Sequence, residues 1–410
     1  MDRINISFLE IIKKALAGDY YASNREISVD EWKQILHLAQ IHHLLPLVVN
    51  ACYQTPHLVD TPLLASVRGS VRQQVFLQTR KTAEFLDLYQ NLRTAGVMPL
   101  VVKGIVCRNL YPYPDQRLSS DEDILIRPEQ FDLCHETMLR FGMETKEAAE
   151  EAEHHYEIPY TKAGSPLYIE LHKFLFPPES AAYGELNGFF EGVFERATEE
   201  TIDGTVILTM APTDHLFYLI CHAFKHFLHG GFGIRQVCDI NLFARHYSDR
   251  IDWGRVHRCC ESIRADRFGA AVFAIGSRHL GLAVELPEQW KTDVDELPML
   301  EDLLASGIYG GADMERRHSS NITLHAAARQ KQGKNTGGGV SRSLFPDLRS
   351  MEGRYPYLKK HPALLPVAWF SRICHFAVKN AGTDTAAKTV RLGNERIELL
   401  KYYGILDNSP

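Results

Sequence analysis

The spacing of apolar residues changes twice along this chain, and each change limits the fold. Apolar residues recur at helical spacing from about residue 63 to 95, and Gly96, a residue type that commonly ends helices, follows. Short runs rich in Val, Ile and Leu then occupy Met98–Val102 and Asp121–Arg127, which is typical of buried strands. Beyond Glu199 the spacing is mostly helical again, so a small α/β core is expected between two helical regions.

We therefore predict an α+β fold, with a small mixed β-sheet core flanked by N-terminal and C-terminal helical regions. YEIPYTK and LYIELHK are interpreted as a hairpin, because the four residues between them include Gly164 and Pro166. KQGKNTGGGVSR, at 331–342, is interpreted as a flexible loop. The predicted parts are an N-terminal helical region (1–96), the α/β core (97–210), a helical domain (211–330), and a loop with a helical tail (331–410).

Composition excludes several classes of protein. The net charge of −6, from 45 Lys and Arg against 51 Asp and Glu, argues against a broad DNA-binding surface. Eight cysteines in 410 residues, with no C-x-x-C pair, are too few for a disulfide scaffold and favour a reducing cytoplasm. Charges or prolines interrupt the apolar runs, so we expect neither a signal peptide nor a membrane span.

Three carboxylates mark the candidate site. Asp121 and Asp123 are two apart in a predicted strand, so their side chains share one face. Glu170 shares a face of its own predicted strand with Tyr168 and His172. Adjacent carboxylates repel unless a cation lies between them, and Mg²⁺ prefers such oxygen ligands. The acidic pair alone also suits a solvated turn, and the sequence does not tell whether the two strands are neighbours.

The combination of these motifs resembles the polymerase-β-like nucleotidyltransferase superfamily: a strand ending in a Gly-containing turn, a short helix, an Asp-x-Asp strand, and a later strand with an apolar-Glu-apolar triplet. More narrowly, VVKGIVCRNLYP, RLSSDEDILI and YIELHK are similar to a bacterial family of uncharacterised nucleotidyltransferases. In that family a Lys-Gly pair replaces the usual Gly-Ser, and an R-x-S-x-D-x-D segment leads into the acidic strand. The resemblance covers residues 97–175 best, and extends more loosely to about residue 245 and to the tail segment LFPDLRSMEGRYPYLKKHPALLP.

The resemblance implies a transferase that moves a nucleoside monophosphate from a nucleoside triphosphate, ATP by default, to an acceptor and releases pyrophosphate. It makes Asp121, Asp123 and Glu170 catalytic and assigns them to Mg²⁺ (or Mn²⁺). Five residues are implied to contact the triphosphate: Lys103, Gly104, Arg117, Ser119 and Ser120. The acceptor stays open among a small molecule, a peptide or protein, and an RNA end.

Other features leave alternatives open. Glu122 stands where the superfamily usually has an apolar residue, and we interpret it as a strand start open to solvent. His222 and His226 have the i, i+4 spacing of metal ligands, but no H-E-x-x-H motif is present, so packing or hydrogen bonding is expected. Arg235 and Asp239, also i, i+4, are expected to form a local ion pair.

Two functions compete with catalysis at the carboxylates. The first is a nucleotide-binding or interaction protein that keeps the same fold but lacks catalysis. The second is a phosphohydrolase that uses His222 and His226, although no His-Asp dipeptide occurs in the chain.

Overall fold

The computed structural model describes residues 1–22, 27–53, 62–146, 155–180, 182–229, 231–307, 355–359, 361–369, 371 and 385–407. The chain divides into two compact units, one of residues 1–224 and 232–308, the other of residues 225–231 and 309–410. The predicted loop at 331–342 lies outside the described residues. The predicted domain boundaries remain a prediction.

Helices precede and follow the sheet. Their bounds are α1 (Arg3–Leu16), α2 (Val29–Ile41), α3 (Leu45–Ala51), α4 (Pro62–Thr94), α5 (Gly104–Arg108), α6 (Phe131–Arg140), α7 (Pro212–His229), α8 (Ile234–His246), α9 (Trp253–Ser262), α10 (Asp266–Leu280), α11 (Leu297–Ser306) and α12 (Thr385–Tyr402). None of the helices in the described ranges is long and apolar enough to cross a membrane.

A six-stranded mixed sheet lies in the larger unit, within the part of the chain that the structure describes. Its strands are β1 (Leu100–Val102), β2 (Glu122–Leu125), β3 (Glu157–Thr161), β4 (Tyr168–His172), β5 (Thr198–Ile202) and β6 (Thr205–Thr209). The order across the sheet is β3-β4-β2-β1-β6-β5. β2 runs parallel to β4 and antiparallel to β1, while β3 and β4 form the predicted antiparallel hairpin. The predicted α+β fold is confirmed.

The predicted return to helical structure beyond Glu199 is wrong for the first ten residues. β5 and β6 form an antiparallel hairpin, and β6 pairs in parallel with β1. The turn between them is Asp203-Gly204, in which both residues have positive φ angles of 49° and 79°. Asp-Gly is a strong local signal for a two-residue hairpin turn, because its residues tolerate positive φ. The core sheet therefore extends to residue 209.

The smaller unit has its own apolar contacts. Leu358 and Ala368 are buried there, with Tyr355, Leu365 and Trp369 packed against them. Arg396, on α12, is 2% exposed and donates a hydrogen bond to the Phe227 carbonyl.

A buried ion pair anchors the start of β2. Glu122 is fully buried, so the prediction that it is open to solvent is wrong. Arg108, from α5, reaches Glu122 Oε1 at 2.8 Å and also donates to Thr82 on α4 at 3.2 Å. The Ile105 N–H donates to Glu122 Oε2 at 2.8 Å. The carboxylate is buried because a guanidinium and a backbone N–H satisfy it there.

We predict that Glu122→Gln lowers the free energy of unfolding by about 3–5 kcal/mol, because it leaves the buried Arg108 guanidinium without a counter-charge. Urea denaturation followed by circular dichroism measures the loss. Glu136→Gln, which removes an exposed carboxylate on α6, is the matched control and should change stability little. Equal stability of the two variants would contradict the anchoring role of the ion pair.

Candidate functional site

The sheet register joins the two predicted acidic strands. Asp123 on β2 pairs with Glu170 on β4 on one side and with Val102 on β1 on the other. His172 lies two residues beyond Glu170 and therefore on the same face. Asp123, Glu170 and His172 each offer one ligand atom, and these atoms lie within 4.8 Å of one another. The register thus settles what the sequence left open: the strands are neighbours.

Asp123 is the buried centre of this cluster. Its side chain is 1% exposed, and Oδ1 contacts Lys103 Nζ at 3.0 Å and His172 Nε2 at 3.1 Å. Burial opposes ionisation, but the Lys103 ammonium and the His172 hydrogen bond together lower the pKa of Asp123. Its Oδ2 is buried and lacks a hydrogen-bond partner among the described residues. Asp123 is therefore an ionised carboxylate with one oxygen left to accept a ligand.

The surroundings of Glu170 disfavour its ionised form, whereas those of Asp123 favour it. Burial, followed by the nearby carboxylates of Asp123 and Asp121, raises the pKa of Glu170 to about 8. Its Oε2 lies 3.8 Å from His172 Nε2. The Lys103 ammonium lowers the pKa of Glu170 but does not outweigh these effects, so the cluster is short of positive charge.

Asp121 lies outside the three-residue cluster but close to it. It is half-buried and precedes β2, and Ser120 Oγ donates to its Oδ1 at 3.2 Å. His172 takes the third position in the cluster that the sequence assigned to Asp121. The signal for His172 was present in the alternation of LYIELHK, which placed it beside Glu170, but a histidine there is equally suited to packing.

The Lys103-Gly104 turn is held from several sides. Lys103 has φ 45° and ψ −121°, and its N–H donates to His215 Nε2 at 3.0 Å. Its ammonium contacts His222 Nε2 at 3.1 Å in addition to Asp123. The His222 side chain therefore has the hydrogen-bonding role that the sequence predicts. His226 is absent from the metal-ligating group found among the described residues.

The resemblance assigned Gly104 to contact with the triphosphate, but the structure requires a glycine at this position for another reason. Its φ is 36°, and a Cβ at this position would overlap the Glu122 carboxylate. The close approach is thus made by Glu122 from within the protein. Since the Ile105 N–H donates to that carboxylate, this backbone donor of the turn is already occupied.

Arg117 is tied down by an aspartate from α8. Its guanidinium is bidentate to Asp239, at 2.6 Å and 3.2 Å, and the Tyr111 hydroxyl donates to the same carboxylate at 2.8 Å. Arg235 donates instead to the Leu118 carbonyl, so the expected local Arg235–Asp239 ion pair does not form. At 3% exposure, Arg117 orients the loop before the acidic strand from inside the protein.

Cationic side chains also hold Ser119 and Ser120, which follow Leu118 in that loop. Ser119 Oγ accepts from Arg108 and donates to Glu122, both at 3.0 Å. Lys81, from α4, donates to the Ser119 and Ser120 carbonyls at 2.6 Å and 2.9 Å. Sequence reasoning missed Lys81, because nothing near it in the chain marks its partners. Of the three loop residues predicted to contact phosphate, Ser120 is the exposed one.

The cluster suits a divalent cation. Two carboxylates and one imidazole provide oxygen and nitrogen donors, and the buried, unpartnered Asp123 Oδ2 is an available ligand atom. Carboxylates suit Mg²⁺ and Mn²⁺, and an imidazole in the set favours the transition metal.

We predict that acid weakens the turn through His215. This ring is fully buried, and burial lowers its pKa to about 3, whereas an unfolded histidine titrates near ~6.5. The neutral ring accepts the Lys103 N–H, so its contribution is complete above pH ~6.5 and declines as the pH falls towards 3. The unfolding free energy should fall by about 1.4 kcal/mol per pH unit for this group.

Urea midpoints of wild type and His215→Gln between pH ~4 and ~6.5 measure this slope. The variant should have a flatter profile, although the buried His42, whose pKa is also lowered to about 3, keeps part of the dependence. His37→Gln, at an exposed position of α2, should retain the wild-type slope. Parallel profiles for all three proteins would refute the role of His215.

The comparison with known proteins identifies the family of this chain. A family model described as uncharacterised nucleotidyltransferase matches residues 28–281, which include every residue of the site described above. No curated protein matches the chain significantly. Because the match covers more than half of the 410 residues, the protein belongs to this family of uncharacterised nucleotidyltransferases.

Proposed function

We propose that this protein transfers a nucleoside monophosphate from a nucleoside triphosphate to an acceptor hydroxyl, with a divalent cation bound at Asp123, Glu170 and His172. The observation that carries the proposal is the pairing of Asp123 with Glu170 across β2 and β4, next to a buried carboxylate oxygen without a partner. Family membership supports the reaction class.

Each residue has a role that follows from its surroundings. Lys103 supplies positive charge beside the acidic cluster, where the negative triphosphate has to be neutralised. Ser120 is exposed next to Asp121, and its hydroxyl, which donates to Asp121 here, would turn to donate to a phosphate oxygen of the bound nucleotide. Arg117 and Ser119 act indirectly, because their polar groups hold the loop that carries Ser120 and Asp121. Asp121 adds negative charge at the edge of the cluster.

The reaction is an in-line displacement. The acceptor oxygen forms a bond to the α-phosphorus, the bond from that phosphorus to the β-bridging oxygen breaks, and pyrophosphate leaves. The proton of the acceptor hydroxyl passes to Glu170 in its ionised form, which a cation held at the cluster would favour. Asp123, Glu170 and His172 would hold a Mg²⁺ or Mn²⁺, which would supply charge neutralisation for the phosphates and favour deprotonation of the acceptor hydroxyl. Catalysis by the protein itself is mainly positioning and electrostatic stabilisation.

The Glu170→Gln variant is expected to lose activity without losing stability. Since the neutral form of Glu170 is favoured by its surroundings, the glutamine variant should fold as well as wild type near neutral pH. It should lose at least about 100-fold in pyrophosphate release with any of the four ribonucleoside triphosphates. Thermal denaturation with Mg²⁺ or Mn²⁺ and each triphosphate gives a second readout. At 100 times Kd, a nucleotide stabilises wild type by about 2.7 kcal/mol.

Glu136→Gln on α6 is the control. It should retain both the nucleotide-dependent rise in the denaturation temperature and the rate of pyrophosphate release. Wild-type turnover by Glu170→Gln would refute the assignment of the site. If a nucleotide and a cation raise the denaturation temperature of wild type but no pyrophosphate is released, the protein binds nucleotides without catalysing transfer. No shift with any triphosphate would refute nucleotide binding altogether.

A further inference from the structure

The helix α7 contacts Lys103 at both its backbone and its charged end. His215 accepts the backbone N–H of Lys103 through Nε2 at 3.0 Å, and His222 contacts the Lys103 ammonium through Nε2 at 3.1 Å. The two histidines are about two helical turns apart, so they lie on one face of α7. One helix therefore fixes both the main chain and the charge of the same residue.

Lys103 is the charged partner of the His222 contact. Burial opposes the charge, but the carboxylates of Asp123 and Asp121 outweigh it and raise the pKa of Lys103 above its ordinary value. An ammonium donates and does not accept, so His222 Nε2 carries no proton and is the acceptor. The Tyr218 ring lies beside the imidazole, with 6.0 Å between the ring centroids. His222 is therefore a neutral acceptor whose ring proton belongs on Nδ1.

The contacts of Lys103 leave one N–H for a substrate. Nζ lies 3.0 Å from Asp123 Oδ1 and 3.1 Å from His222 Nε2, which accounts for two of the three N–H groups of an ammonium. Among the described residues this ammonium has no further hydrogen-bond partner. The Lys103 side chain is 16% exposed and is therefore not sealed from solvent. A phosphate oxygen of the nucleotide can accept the third N–H.

The two contacts of the ammonium differ in what else they have to hold. Asp123 belongs to the cluster proposed to bind a divalent cation, so a cation and Lys103 would share its carboxylate. His222 lies outside the metal-ligating group found in the described ranges. A lysine ammonium sits on a flexible four-carbon stem, which a single shared contact does not fix. His222 is therefore the contact that holds the ammonium independently of what Asp123 binds.

We propose that His222 is a positioning residue of the transfer reaction, which holds the Lys103 ammonium beside the acidic cluster, where that charge stabilises the phosphates of the nucleotide. This inference rests on the proposed nucleotidyltransferase function and deepens it. His222 acts through Lys103. Because the imidazole is neutral, it fixes the ammonium without neutralising its charge, as a carboxylate at the same position would do.

A double-mutant cycle on pyrophosphate release by the full chain tests this role. His222→Met removes the acceptor but keeps a long side chain, and Lys103→Met removes the ammonium. In wild type, His222→Met should lower kcat/KM for the triphosphate about 10- to 100-fold, because the charge is no longer held in place. In Lys103→Met the same change should cost about 2-fold or less, since no ammonium is left to position.

Three further variants separate positioning from packing. His222→Gln offers a carbonyl oxygen as acceptor and should recover most of the lost activity. His222→Phe keeps a ring without an acceptor and should match His222→Met. His37→Met, at an exposed position of α2, is the matched control and should retain the wild-type kcat/KM. Urea denaturation of each variant without nucleotide shows that the losses do not come from unfolding.

A loss that glutamine restores, and that disappears once Lys103 is methionine, would support the proposal. Equal losses from His222→Met in both backgrounds would overturn it, because His222 would then act independently of Lys103. Wild-type kcat/KM in His222→Met would also overturn it, while an inactive Glu170→Gln in the same assay would leave the proposed function intact. The absence of pyrophosphate release by wild type with every triphosphate would refute the role of His222 together with the proposed function.

Discussion

The buried ion pair between Arg108 and Glu122 fixes the strand on which the candidate site depends. Neighbouring residues of a strand point to opposite faces, so the inward position of Glu122 determines the face on which Asp123 lies. A slip of one residue would turn Glu122 to the face of the cluster and present an aspartate, with a side chain one methylene shorter, to Arg108. The same ion pair explains the glycine at 104, because the Glu122 carboxylate occupies the space that a Cβ would need.

The helical regions contribute to the site by providing hydrogen-bond donors for its backbone carbonyls. The loop before β2 turns three successive carbonyls, those of Leu118, Ser119 and Ser120, towards side chains of α8 and α4. Carbonyls that are partly withdrawn from water require donors, and here the donors are the cationic side chains of Arg235 and Lys81. Burial lowers the pKa of Lys81, yet its two carbonyl acceptors favour the charged form. Distant helices therefore set the position of Asp121.

The sequence predicted those strands, helices and turns that a local pattern of residues encodes. A short apolar run identified the strand of Asp123, and alternation identified that of Glu170. Helical spacing identified α4, and the turn at Gly164 identified the β3–β4 hairpin. The Asp203-Gly204 turn carried an equally local signal that the sequence analysis did not use. The partners of Glu122 and Lys81 could not be found in this way. Their contacts join residues 14 and 38 or 39 positions apart, across different elements, and no periodicity encodes them.

Lys103 shows how strain and charge are coupled at this site. Its φ of 45° and ψ of −121° match the first central position of a type II′ turn, where glycine predominates, and a side chain there costs on the order of 1–3 kcal/mol. Glycine would relieve this strain but would remove the ammonium from Asp123 and His222. The conformation persists because His215 binds the backbone while two side chains bind the ammonium. Strain held by that many contacts, at a residue that brings positive charge to an acidic cluster, is expected where the charge itself has a function.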